Sequence, residues 1–181
     1  MRTAIFSTFA LLIGTAPVLA FPTSEVPTSE PAYIAKVKTA APADIVAKAT
    51  IVMAQDGKTK TLQTGANGFT CMIIPDGTPL CADENGMTWL KALMAKSDPS
   101  NKIGFVYMLA GDNGTSNHDP AEAASHQHWV HTGPHVMIVG PPVREMSGYP
   151  RNVDVADATQ PYVMWPGTKY EHLMLPVANA Q

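Results

Sequence analysis

From Thr50 onward the chain is cut into short apolar runs, each closed within a few residues by Gly, Pro, Asn or Asp. This punctuation constrains the fold more than any motif does. Runs of about four to eight residues between turn signals suit strands, and most are too short to make packed helices. Thr50–Met53 and Lys60–Leu62 flank Asp56-Gly57, which predicts a hairpin. Phe69–Ile74 lies between Asn67-Gly68 and Pro75, and Ile103–Ala110 is the longest strand candidate. His135–Val139, Tyr162–Trp165 and His172–Val177 complete the set.

Two segments read as helices instead. In Met87–Lys96 the pairs Trp89/Leu93 and Leu90/Met94 stand at i, i+4, and Asp98-Pro99 stops the run. Asp119 is a cap candidate with Pro120 at the first position and Glu122 three residues on, so a helix is expected from Pro120 to about His131, ended by Gly133-Pro134. Asp44–Lys48 suits a short helical turn. Helices set among strands without a strand-helix-strand rhythm argue an α+β domain with two helices and a mainly antiparallel sheet.

The N-terminus carries an export pattern. Arg2 is the positive region, Ala4–Ile13 the apolar stretch, Gly14 and Pro17 the break, and Val18-Leu19-Ala20 the small-residue cleavage site. Residues 1–20 are expected to be a signal peptide cut after Ala20, giving a secreted or periplasmic protein. The apolar stretch falls short of the roughly 20 residues of a membrane span, and nothing later reaches that length. Residues 21–43, where Pro22-Thr-Ser-Glu25 recurs as Pro27-Thr-Ser-Glu30, are expected to form a flexible leader, and residues 44–181 one globular domain. Loss of Arg2 moves the formal charge from −3 to −4. A mildly acidic domain has no attraction for nucleic acid or an anionic membrane surface.

Cys71 and Cys81 bracket the turn sequence Pro75-Asp76-Gly77. In an oxidising compartment they are expected to pair, whereas redox and metal sites more often use Cys-x-x-Cys spacing.

All six histidines fall between His118 and His172, and four of them are His126, His128, His131 and His135. On the expected helix His128 and His131 share a face, while His126 lies about 200° round from His128. A zinc-type site there has two ligands from the helix at most. The other pattern is His-x-Met, which occurs as His135-Val-Met137 and as His172-Leu-Met174. On a strand, residues i and i+2 share a face, so each segment presents an imidazole beside a thioether. If the two strands lie together, His135, Met137, His172 and Met174 form a set that suits copper, above all Cu(I). Met108 and Met164 on other expected strands can add sulfur, whereas Met146 lies in a loop. His172-x-Met174 also resembles the end of the motif of periplasmic copper chaperones, although the upstream spacing differs.

Two other readings stand beside copper. One is an enzyme with a His-centred site, with Glu171 or Asp119 as partner; the other is a structural or interaction domain whose methionines merely fill the core. No His-Glu-x-x-His, Gly-x-Ser-x-Gly or phosphate-loop motif occurs. The stretches Thr64–Cys71, Thr132–Met137, Tyr162–Trp165 and Tyr170–Met174 together resemble a family of exported bacterial proteins with no assigned activity. The resemblance covers roughly Ala43 to Val177. It implies export and a single domain, and it brings no cofactor or functional residue with it.

Overall fold

The computed structural model describes residues 25–55, 57–122, 126–155 and 157–177. The expected signal peptide, the first residues of the leader and Asp56 of the first turn lie outside them. The described residues open with two short helices, α1 (Glu30–Val37) and α2 (Ala43–Lys48). Four strands follow: β1 (Thr50–Gln55), β2 (Lys58–Gln63), β3 (Thr70–Ile73) and β4 (Pro79–Ala82). Next come α3 (Glu84–Ala95), β5 (Gly104–Met108) and a small ribbon of β6 (Thr115–Ser116) and β7 (Trp129–Val130). β8 (His135–Val139), β9 (Tyr162–Met164) and β10 (His172–Pro176) end the fold.

Eight strands form one sheet in the order β2-β1-β3-β4-β5-β8-β10-β9. Every pairing is antiparallel except β1 with β3. The architecture is α+β, as the punctuation of the chain predicts. The seven expected strands fall within a residue or two of β1, β2, β3, β5, β8, β9 and β10, whereas β4, β6 and β7 have no expected counterpart; α3 covers Met87–Ala95 of the expected helix. Asp83 caps α3 by accepting the Gly86 N–H at 2.7 Å, and Lys96 closes it in the left-handed conformation.

Because side chains alternate across a strand, the sheet has two distinct faces. One face carries Ile51, Met53, Cys71, Ile73 and Cys81, packed beneath α1 and α2. Cys71 and Cys81 are directly opposite on β3 and β4 and are joined as a disulfide. The same face continues over the C-terminal strands as Val163 and Leu173 packed with Val143. The other face carries Leu80, Ala82, Val106, Met108, Met137 and Met174, and α3 lies on it through Trp89. A Cβ on Gly104 would run into the backbone of Asn85 and Gly86, so glycine there lets the start of α3 sit directly on β5.

Two expectations are corrected. Residues 30–37, assigned to the leader, are a helix. Glu30 and Pro31 suit its first turn, and Tyr33 and Val37, one turn apart, are completely buried. The Tyr33 hydroxyl donates to the Val52 carbonyl at 2.9 Å and accepts the Ile73 N–H at 2.8 Å. A segment rich in Pro, Thr and Ser is thereby fixed by one aromatic residue that reaches two strands.

Of the expected helix Pro120–His131, residues 123–125 lie outside the described residues; Pro120–Glu122 is a 3-10 turn, and residues 126–131 are not helical. Asp119 does cap it, accepting the Ala121 N–H at 2.6 Å. His126 and His128 stand at φ 54° and 50°, which no right-handed helix allows. Trp129–Val130 pairs instead with Thr115–Ser116, and Val130 is buried there. Burial of Val130 in the tertiary fold overrides a genuine local cap signal.

Candidate functional site

The register of the C-terminal strands decides which residues meet. Met137 of β8 and Met174 of β10 are directly opposite. His135 and His172 lie two residues from them at opposite ends, on the same face of the sheet. The neighbouring strands then add one thioether to each end: Met108 of β5 is opposite His135, and Met164 of β9 is opposite His172. Each imidazole thus has two methionines among its nearest positions on the face, and His135 is also opposite Pro176. All six side chains are buried, and all six line one pocket of about 680 Å³.

The two histidines are held alike. His135 Nδ1 lies 2.7 Å from the Gly133 carbonyl, and His172 Nδ1 lies 2.9 Å from the Tyr170 carbonyl, two residues back in each case. A carbonyl oxygen only accepts, so each Nδ1 carries the hydrogen and each neutral ring keeps its lone pair on Nε2. Burial lowers the pKa of His135, outweighing its hydrogen bond to Gly133 and the charge of Asp112. Burial likewise lowers His172, to about 4, and the neighbouring His135 adds to that. Both rings are therefore neutral near pH 7. His135 Nε2 is buried without a hydrogen-bond partner.

Aromatic residues make the walls. His172 stands edge-on to two indoles, with ring centroids 5.1 Å from Trp89 and 4.9 Å from Trp165. Those indoles stack on each other at 6.4 Å and 14°, and Tyr170 meets Trp89 at 87°. Trp165 has φ 53°, a conformation that bulky residues rarely adopt. Its backbone N–H donates to Asn117 Oδ1 at 3.0 Å and its indole N–H donates to the Ser116 carbonyl at 2.9 Å. Asn117 in turn donates to the carbonyls of Asn152 and Val153. The β6–β7 ribbon thus fixes the indole in place.

The remaining expected residues lie elsewhere. Met146 packs against Val143, Val163 and Leu173 on the opposite face. His118 pairs with Glu122 and His128 with Asp154, both at 2.7 Å and exposed, with the two imidazoles 5.7 Å apart. His126 stacks on Trp129. His128 and His131 share no helix face, because no helix forms there. Among the described residues no group of three or more His, Cys, Asp or Glu is placed to hold a metal ion.

The partners considered for an enzyme are otherwise engaged. Glu171 Oε1 accepts from Arg151 at 2.9 Å and Oε2 accepts the Gly167 N–H at 2.6 Å. Asp119 lines the pocket while capping its own turn. The hydrogen bonds of both pocket histidines go to backbone carbonyls rather than to carboxylates.

Trp89, Trp165 and Tyr170 are among the pocket residues that sequence reasoning missed. Trp89 reads as one half of an ordinary helical core pair, and neither Trp165 nor Tyr170 carries a local signal for a wall position. Comparison of the chain with protein-family models, curated proteins and solved structures gave no match. The chemistry of the pocket is therefore the guide to what the protein does.

Proposed function

We propose that this is an exported binding protein whose pocket floor takes Cu(I) through His135, Met137, His172 and Met174. The observation that carries the reading is the register, which sets two His-x-Met segments against each other with Met137 opposite Met174. Thioether sulfur with imidazole favours a soft monovalent ion over zinc, calcium or magnesium. The hydrogen bonds from both Nδ1 atoms to backbone carbonyls support it, since metal-binding histidines commonly have their second nitrogen fixed in this way. Both rings are already neutral, so ligation displaces no proton from them. The disulfide is in keeping with an oxidising compartment, where such an ion would be met. Met108 and Met164 stand next to the ligands as further sulfur donors.

The test is anaerobic titration of the purified protein with Cu(I) against a competing chromophoric chelator, with Zn(II) as control. Wild type is expected to take Cu(I) from the chelator and to leave Zn(II) unbound. Met137→Leu and Met174→Leu keep the volume but remove sulfur, and each is expected to weaken Cu(I) binding at least about tenfold. Wild-type protein that cannot compete for Cu(I), or Leu variants that bind it equally well, would overturn the proposal.

A further inference from the structure

We infer that the same pocket binds a small, uncharged, mostly aromatic molecule carrying a hydroxyl group, which bonds to Trp89 Nε1 and His135 Nε2. The inference rests on the two unpaired atoms and on the volume; it shares His135 with the copper reading and applies to the metal-free pocket. A volume of about 680 Å³ is that of an organic-ligand site and far exceeds the space one metal ion fills. Beyond the methionine floor the space is walled by Leu80, Leu90, Leu93, Trp165 and Tyr170. It reaches the surface beside Met94, which lines it and is 80% exposed.

Two residues of this lining each carry a buried polar atom without a partner, Trp89 at Nε1 and His135 at Nε2. Trp89 is 2% exposed and His135 is completely buried. Their chemistry is complementary. The indole N–H donates only, while His135 Nε2 accepts, because its Nδ1 hydrogen is committed to Gly133. Leaving such groups unpaired in an apolar site is unfavourable, and a hydroxyl offers what both need, one acceptor and one donor. The charged residues on the lining, Asp76, Lys96, Asp112, Asp119 and Lys169, are exposed or half-buried, so the interior selects a neutral guest.

The test compares 2-naphthol with naphthalene on metal-free protein, by fluorescence titration. The two probes share a ring system and differ by one hydroxyl. Wild type is expected to bind 2-naphthol about tenfold more tightly than naphthalene, although naphthalene is the more hydrophobic. Trp89→Phe and His135→Leu are each expected to abolish that preference, and His135→Gln, which restores an acceptor, to recover part of it. A readout that needs no variant is the indole N–H resonance of Trp89, which should shift with 2-naphthol and far less with naphthalene. Naphthalene bound as tightly as 2-naphthol, no binding of either probe, or a preference that survives both Trp89→Phe and His135→Leu would overturn the inference. A protein that binds 2-naphthol and not Cu(I) sinks the copper reading alone, and the reverse result sinks this one alone.

Discussion

The two faces of the one sheet are built to different ends. Beneath α1 and α2 the face is tied across by the Cys71–Cys81 bridge and by Tyr33, whose hydroxyl joins β1 and β3. Beneath α3 the face is soft: thioethers, two neutral imidazoles and two stacked indoles surround a pocket. Residues adjacent in sequence, such as Leu80 and Cys81, belong to opposite sides of this division. The comparison teaches that the cross-linked side and the pocket-bearing side are separated by the thickness of one sheet, so perturbing one face should leave the other largely intact.

The largest expected effect tests the tied face. Tyr33→Ala removes a completely buried ring and two hydrogen bonds, and should lower unfolding stability by about 3–5 kcal/mol in urea titration. A loss near zero would mean that residues 25–43 are a tether after all.

Acid tests the soft face. His172 is neutral in the fold with a pKa of about 4, against an ordinary value of 6.5. Between those values the unfolded chain binds more protons than the folded one, so stability falls as pH is lowered from 6.5 and the slope ends near 4. The loss attributable to His172 is about 3 kcal/mol, in the same direction as that from the less strongly shifted His135. Urea midpoints at pH 7, 5.5 and 4 measure it, and His172→Gln should flatten the profile. A wild-type profile flat across this range would show that His172 is not sealed from water.

Removing the bridge with Cys71→Ala and Cys81→Ala should lower stability by about 2–3 kcal/mol in the same assay. Affinity for 2-naphthol or Cu(I) should be unchanged in the folded fraction. If pocket affinity falls with it, the two faces are coupled and the comparison fails. The smallest effect comes from Met137→Leu, which keeps volume on the pocket floor. It should change stability by less than about 1.5 kcal/mol while impairing Cu(I) binding. A melting curve alongside the metal titration separates the two.

Much of this division is legible in the sequence, and the gaps have physical causes. Strand positions follow from turn residues and apolar runs because those signals are local. The His-x-Met pairs reveal their shared face for the same reason, since a period of two needs no partner strand. Their meeting with Met108 and Met164 depends on register across four strands, which no single segment encodes. The Asp119-Pro120 cap is real, yet the backbone of His126 and His128 turns left-handed and Val130 is drawn into the core. Tyr33 is missed for a related reason: its neighbours in sequence look like a tether, while its hydrogen-bond partners lie at Val52 and Ile73.

The place of β10 in the sheet has a consequence for how the molecule is assembled. The strand order departs from chain order at both edges, where β1 lies between β2 and β3 and where β10 inserts between β8 and β9. The bridged β3–β4 hairpin draws on residues 70–82, well before the C-terminal strands. The pocket floor needs β10 as well, and His172 and Met174 arrive on it together. A chain cut before β10 thus keeps both cysteines yet carries only His135 and Met137 of the four facing floor residues.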